Sequence, residues 1–226
     1  MIKPCFLLLL IAVLSACGSG DRASKKTPLA DRIAQPLVRG SFQITVTGGQ
    51  LHDCLTDRLY KVQVTPAIDS LYRTACGPIT YPGEKVYAVL RGSPVGDVFT
   101  FANVDAMEAK NPWNTCVRFE FWCHGNEPFW DLEISQAEGG LFYQDASREN
   151  GAKYAWAAPK ISKSTWTYRA PAPAAGGSAL QVVIRKEPAN DGMSDLTYNY
   201  SVELTVNGEK RKGVAVRWGE PKLEPK

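Results

Sequence analysis

Apolar and polar positions alternate through most of this chain, and the runs of strict alternation predict strands. In "SFQITV" Phe42, Ile44 and Val46 fall on one face, and Gly48-Gly49 follows with turn chemistry. Short strands are expected around residues 51–55 and 59–64. The period then changes once. In "PAIDSLYRTACG" Ile68, Leu71, Tyr72 and Ala75 recur at helical spacing, Pro66 suits a first turn and Gly77 supplies a stop. Alternation resumes in "EKVYAVLRG", with Val86, Ala88 and Leu90 on one side, and again in "DVFTFANV". Three strands, a helix and two strands form the order of an OB-type barrel.

The second half carries almost no helical period. "CVRFEF" alternates, and "CHGNEPFWDLEIS" turns the chain: Gly125-Asn126 is expected to take the left-handed conformations of a tight turn, and Pro128 sends the chain out extended. Glu127 is expected to accept backbone hydrogen bonds in that turn. Beyond it, Trp130, Leu132 and Ile134 share one face; Asp131, Glu133 and Ser135 share the other. Further strands are expected in "YAWAAP", "STWTYRA" and "ALQVVIRKE". Tyr198, Tyr200, Val202, Leu204 and Val206 then alternate up to Asn207-Gly208, a strong hairpin signal, and a strand through Val214 and Val216 returns. The expected fold is therefore mainly β: an OB-like small barrel with one short helix over residues 37–112, followed by a second antiparallel β-barrel or sandwich over 113–219. Residues 220–226 read as a disordered tail.

The beginning of the chain bears on location. Lys3 precedes an apolar run from Cys5 to Val13 that is too short to span a bilayer as a mature helix, so residues 1–16 read as a signal peptide. Leu14-Ser15-Ala16-Cys17 resembles the bacterial lipobox. That resemblance implies cleavage before Cys17 and acylation of its thiol and new amino terminus, giving an effectively permanent anchor at about 0.8 kcal/mol per buried methylene. Gly18 is not the aspartate associated with inner-membrane retention, so the periplasmic face of the outer membrane is implied. Residues 17–36, rich in small and charged side chains, read as a lipidated flexible linker. A net charge of +3 over 226 residues offers no basic footprint for nucleic acid.

With Cys5 removed and Cys17 lipidated, Cys54, Cys76, Cys116 and Cys123 remain. In an oxidising compartment these suggest two disulfides, with three pairings open. His52-x-Cys54 and Cys123-His124 could be imagined as metal ligands, but neither spacing is a zinc signature. Ser194 lacks a Gly-x-Ser-x-Gly elbow, and His124 and Glu127 stand as lone candidate bases. No phosphate loop or dinucleotide fingerprint is present. No cofactor is expected.

Two family resemblances extend this reading. "FQITVTGGQLHDCLTDRLYKVQV" with "LYRTACGPITYPGEKVYAVLRG" resembles the C-terminal OB-like domain of NlpE-type lipoproteins. The resemblance implies a disulfide from Cys54 to Cys116, which would leave Cys76 to join Cys123. The Cys-x-x-Cys motif that such proteins carry in another domain is absent here, so their copper tolerance and stress signalling do not transfer. "FWCHGNEPFWDLEI" with "DGMSDLTYNYSVELTVNGEKRKG" resembles a bacterial lipoprotein domain that often accompanies META/HslJ-like domains. Its usual flanking cysteine pair is replaced here by Ala189 and Val214.

The resulting expectation is a non-catalytic lipoprotein, held to the membrane by its lipid. It binds or senses an envelope protein or a small ligand in envelope maintenance or stress response. Asn126, Glu127, Trp130 and Asp191 are the expected ligand-binding residues. The alternatives are copper or other metal handling by His52, His124 and Met193, and inhibition of an envelope-directed hydrolase such as a lysozyme.

Overall fold

The alternating runs of the first half become strands of one barrel. The computed structural model describes residues 35–146, 151–174 and 176–221. The expected signal peptide, Cys17 and residues 17–34 of the linker lie outside them, as do residues 222–226. Strands β1 (Leu37–Thr45), β2 (Gly48–Asp53) and β3 (Leu59–Val62), helix α1 (Pro66–Cys76), and strands β4 (Val86–Val95) and β5 (Val98–Ala109) follow in that order. The strands close in the order β1-β2-β3-β5-β4. Only β3 and β5 run parallel within this barrel. Closure leaves no unpaired strand edge.

Phe42, Leu51, Ala88, Leu90 and Phe99 fill the barrel, as their alternation predicts. Val46 departs from the expected face: β1 ends at Thr45, and Val46 lies exposed in the turn before Gly48. Thr65 caps α1 by accepting from the Ile68 amide, and Gly77, at φ 68°, donates to the Arg73 carbonyl. The buried stripe of α1 is Ile68, Tyr72 and Cys76, at i, i+4 and i+8, while Leu71 is 43% exposed. One short helix touching a barrel along a single line needs only a narrow stripe.

The second half forms one antiparallel sheet of nine strands, curled into a half-barrel. Its strands are β6 (Phe121–Asn126), β7 (Phe129–Ser135), β8 (Gly140–Asp145), β9 (Ala152–Ala155), β10 (Lys160–Ser162), β11 (Thr165–Ala170), β12 (Leu180–Ala189), β13 (Tyr198–Val206) and β14 (Glu209–Arg217). Their spatial order is β10-β11-β12-β13-β14-β6-β7-β8-β9. Trp130, Leu132, Ile134, Tyr200, Val202 and Leu204 lie in its core. Strand β8 has no alternation to announce it, because Leu141, Phe142 and Tyr143 are all buried. Asn207 and Gly208 take φ of 54° and 78° in the hairpin between β13 and β14, as that dipeptide favours. Tyr198 leaves the face it was expected to share. The pairing of β12 with β13 shifts between Lys186 and Ala189, and Tyr198 packs with Phe119, Trp122, Val214 and Val216 in a separate cluster.

A disulfide joins Cys54 to Cys116, tying the end of β2 to the segment between barrel and sheet. The expected Cys76–Cys123 bond does not form. Cys76 is buried in the barrel core and Cys123 in the sheet core, so each sulfur is enclosed by its own body. Within the expected tail, Glu220 accepts a hydrogen bond from the Tyr200 hydroxyl at 2.6 Å.

Barrel and sheet meet through polar groups. Lys110, just beyond β5, reaches Glu133 on β7 at 2.7 Å and Glu138 at 2.8 Å. Lys85, just before β4, reaches Glu138 at 3.1 Å. Gln144 on β8 donates to Glu84 at 2.7 Å, and the rings of Tyr81 and Phe142 pack at 5.6 Å. The face of β7 that reads as polar is thus largely buried: Glu133 lies against the barrel, and the Ser135 hydroxyl donates to the Arg118 carbonyl at 2.7 Å.

Candidate functional site

The two motifs of the second half meet at one corner of the sheet. Strand β6 ends in Gly125-Asn126, and the two-residue loop Glu127-Pro128 returns the chain into β7. The expected left-handed turn at Gly125-Asn126 is not observed: both residues are in the strand, and the turn has a cis Glu127–Pro128 peptide. Proline in that position is the mark of a type VI turn.

Gly125 serves a different purpose. The Trp130 indole crosses from β7 under β6 to β14, where its Nε1–H donates to the Lys212 carbonyl at 3.3 Å. A Cβ on Gly125 would sit 2.3 Å from Trp130 Nε1, and one on Gly213 would sit 2.7 Å from Trp130 Cζ2. Both glycines are bare so that one large ring can lie flat across three strands. Trp130 is fully buried and supports the corner from beneath.

Residues 190–197 fold back over the opposite face of the sheet, where Leu196 and Ala189 cover Trp122, Val214 and Val216. Asp191 organises this loop. Its carboxylate accepts from the amides of Met193 at 3.0 Å and Ser194 at 2.9 Å, from the Ser194 hydroxyl at 3.0 Å and from the Tyr198 hydroxyl at 3.3 Å. Desolvation opposes its charge, but those donors outweigh it and hold the carboxyl below its ordinary value. Asn126 then ties hairpin to loop, its amide donating to the Asp191 carbonyl at 3.0 Å.

Between hairpin, loop and strands lies a cleft of about 600 Å³. Asn126, Glu127 and Asp191 line it together with residues that sequence reasoning did not single out: Arg185, Glu187, Ser201, Glu203 and Lys212. These occupy outward positions of β12, β13 and β14, alternating with core residues such as Ile184, Val202 and Leu204. Alternation alone marks them as outward. Register brings them together, with Arg185 opposite Ser201 and Glu203 opposite Lys212. Arg185 pairs with Glu203 at 3.2 Å, and Ser201 donates to Glu187. Among the described residues Glu127 accepts no hydrogen bond, contrary to the expectation for the turn, and the Lys212 ammonium has no ion-pair partner. The cleft therefore offers the Glu127 side chain without a hydrogen-bonding partner among the described residues, and the Lys212 ammonium, which stands opposite Glu203 across the β13–β14 ladder. Its size falls in the range of small-ligand sites.

The other candidate groupings do not converge. His52 is bound to Asp57 at 2.6 Å on the barrel, whereas His124 packs edge-on against Tyr198 at 5.2 Å on the sheet. Burial holds the His124 imidazole below its ordinary value, with Asp191 pulling the other way. The Ser194 hydroxyl is bound to Asp191, and among the described residues no imidazole is hydrogen-bonded to it as a base. Among the described residues no cluster of three or more histidine, cysteine or acidic side chains is arranged to hold a metal ion. Comparison of the chain with protein-family models, curated proteins and solved structures gives no match.

Proposed function

We propose that this protein is a non-catalytic, lipid-anchored protein of the outer membrane, facing the periplasm. It holds a polar ligand, or a polar segment of an envelope partner, in the cleft between the hairpin at Asn126-Glu127 and the loop at Asp191. Its role on this reading is in envelope maintenance or stress response. The observation that carries the proposal is the convergence of both motifs on one polar cleft lined by Glu127 and Lys212, neither of which has an ion pair within hydrogen-bonding distance among the described residues. A ligand bearing both charges satisfies both groups. The Cys54–Cys116 disulfide supports an oxidising location.

The test is native mass spectrometry of the full protein released from its own envelope. Wild type is expected to retain an additional mass or a partner that Glu127→Lys and Lys212→Glu each release. A wild-type protein that carries nothing, or variants that retain the same species, would end the binding reading at this cleft. The anchor is tested separately, since Cys17→Ala is expected to move the protein from the membrane fraction to the soluble one.

A further inference from the structure

The two ends of the barrel differ. At one end, β4 starts and β5 stops, and Lys85 and Lys110 just beyond them are covered by the sheet through Glu133 and Glu138. The other end gathers three features. The chain arrives there, with Leu37 opposite Arg91 and the Pro36 carbonyl accepting from Gly92. The turn between β2 and β3 is there, with the Cys54 amide donating to Arg39. The hairpin between β4 and β5 is there, joined to that turn by the Arg58 guanidinium, which donates to the Gly96 carbonyl at 2.8 Å.

This end exposes aliphatic side chains that the barrel has no need to leave in water. Leu55 is 92% exposed and Val95 72%, and Leu37, Leu59 and Val98 are also exposed. Arg39 and Arg58 stand among them, while Asp57 and Asp97 are engaged by His52 and Lys61. Aliphatic side chains interspersed with arginine suit the boundary between headgroups and acyl chains.

We infer that this end of the barrel lies against the lipid surface, with Leu55, Leu59, Val95 and Val98 entering the headgroup region of the leaflet that carries the anchor. The occupant is identified by where the chain comes from. The chain that follows the expected lipidated Cys17 enters the barrel at this end, at Leu37, where the Cys54–Cys116 disulfide also fixes the start of the segment that leads into the sheet. The inference rests on the lipid-anchor reading.

The experiment uses the full lipidated chain in vesicles of phosphatidylethanolamine and phosphatidylglycerol, some carrying spin-labelled acyl chains as quenchers. Single substitutions Val95→Cys, Leu59→Cys and, at the far turn, Val46→Cys are labelled with an environment-sensitive fluorophore. The thiols of Cys76 and Cys123 are buried and Cys54 and Cys116 are bonded, so the added cysteine takes the label. The expected result is blue-shifted emission and quenching at positions 95 and 59, and neither at 46. Protein that floats with vesicles but shows equal quenching at 95 and 46 overturns the orientation. Wild-type protein from its own membrane that fails to float overturns the anchor reading instead.

Discussion

The ammonium of Lys110 lies 2.7 Å from Oε1 of Glu133, and each of the two side chains is 7% exposed. One belongs to the barrel and the other to the sheet, so the relative placement of the two bodies depends on charges taken out of water. Such a pair adds little net stability against an apolar substitute, yet is costly to break from one side, because the remaining charge is left buried.

Lys110→Met is therefore expected to lower unfolding free energy by about 3–5 kcal/mol in urea titration. Adding Glu133→Leu should recover part of that loss, since Glu138 keeps Lys85 at 3.1 Å. Equal stability of the single variant and wild type would show that the contact is open to solvent.

Alkaline pH should weaken the fold in two stages. Burial, reinforced by Asp131, pushes the Cys123 thiol well above its ordinary value. A raised folded value means that the contribution is complete below the unfolded value of about 8.5 and lost as pH rises, at about 1.4 kcal/mol per unit. Cys123→Ala should flatten the slope between about pH 8.5 and 10. For Lys110, desolvation is outweighed by Glu133 and Glu138, so its value is also raised, and its contribution disappears only above about pH 10.4. Denaturant midpoints across this range, for wild type and both variants, check the assignment.

Thiol counting should find Cys76 and Cys123 unreactive in the folded mature chain and both alkylated after denaturation without reductant. Peptide mapping should recover Cys54 joined to Cys116.

Gly125→Ala is expected to cost about 1–3 kcal/mol or more through overpacking, because its Cβ meets Trp130 Nε1 at 2.3 Å and the Lys212 carbonyl at 2.4 Å. Thermal unfolding followed by tryptophan fluorescence measures both the loss and any displacement of the indole.

Asp191→Ala should remove about 1.5–3 kcal/mol of charged hydrogen bonding, and with it the order of the loop. Hydrogen exchange at the Met193 and Ser194 amides is the direct readout. In wild type the lowered carboxyl value means that this contribution is present above about pH 3.9 and fades as pH falls through the folded value.

Much of this architecture is legible in local pattern. Alternation in "EKVYAVLRG" places Val86, Ala88 and Leu90 in the barrel core, Pro66 and Gly77 bound the helix, and Asn207-Gly208 closes its hairpin, because each depends on neighbours within a few residues. Pairings across long separations are not contained in such patterns. Cys76 and Cys123 are partners only as the family resemblance implies, and each sulfur belongs to a different core. Glu133 and Ser135 read only as the polar face of their strand, yet Glu133 is buried by Lys110 of the barrel and Ser135 beneath the Arg118 carbonyl, and β8 is silent because both its faces are buried. The candidate cleft divides the same way. Asn126, Glu127 and Asp191 stand out as motif residues, whereas Arg185, Glu203 and Lys212 join them only through strand register. Local sequence settles which way a side chain points from its strand; only the folded sheet decides what it points at.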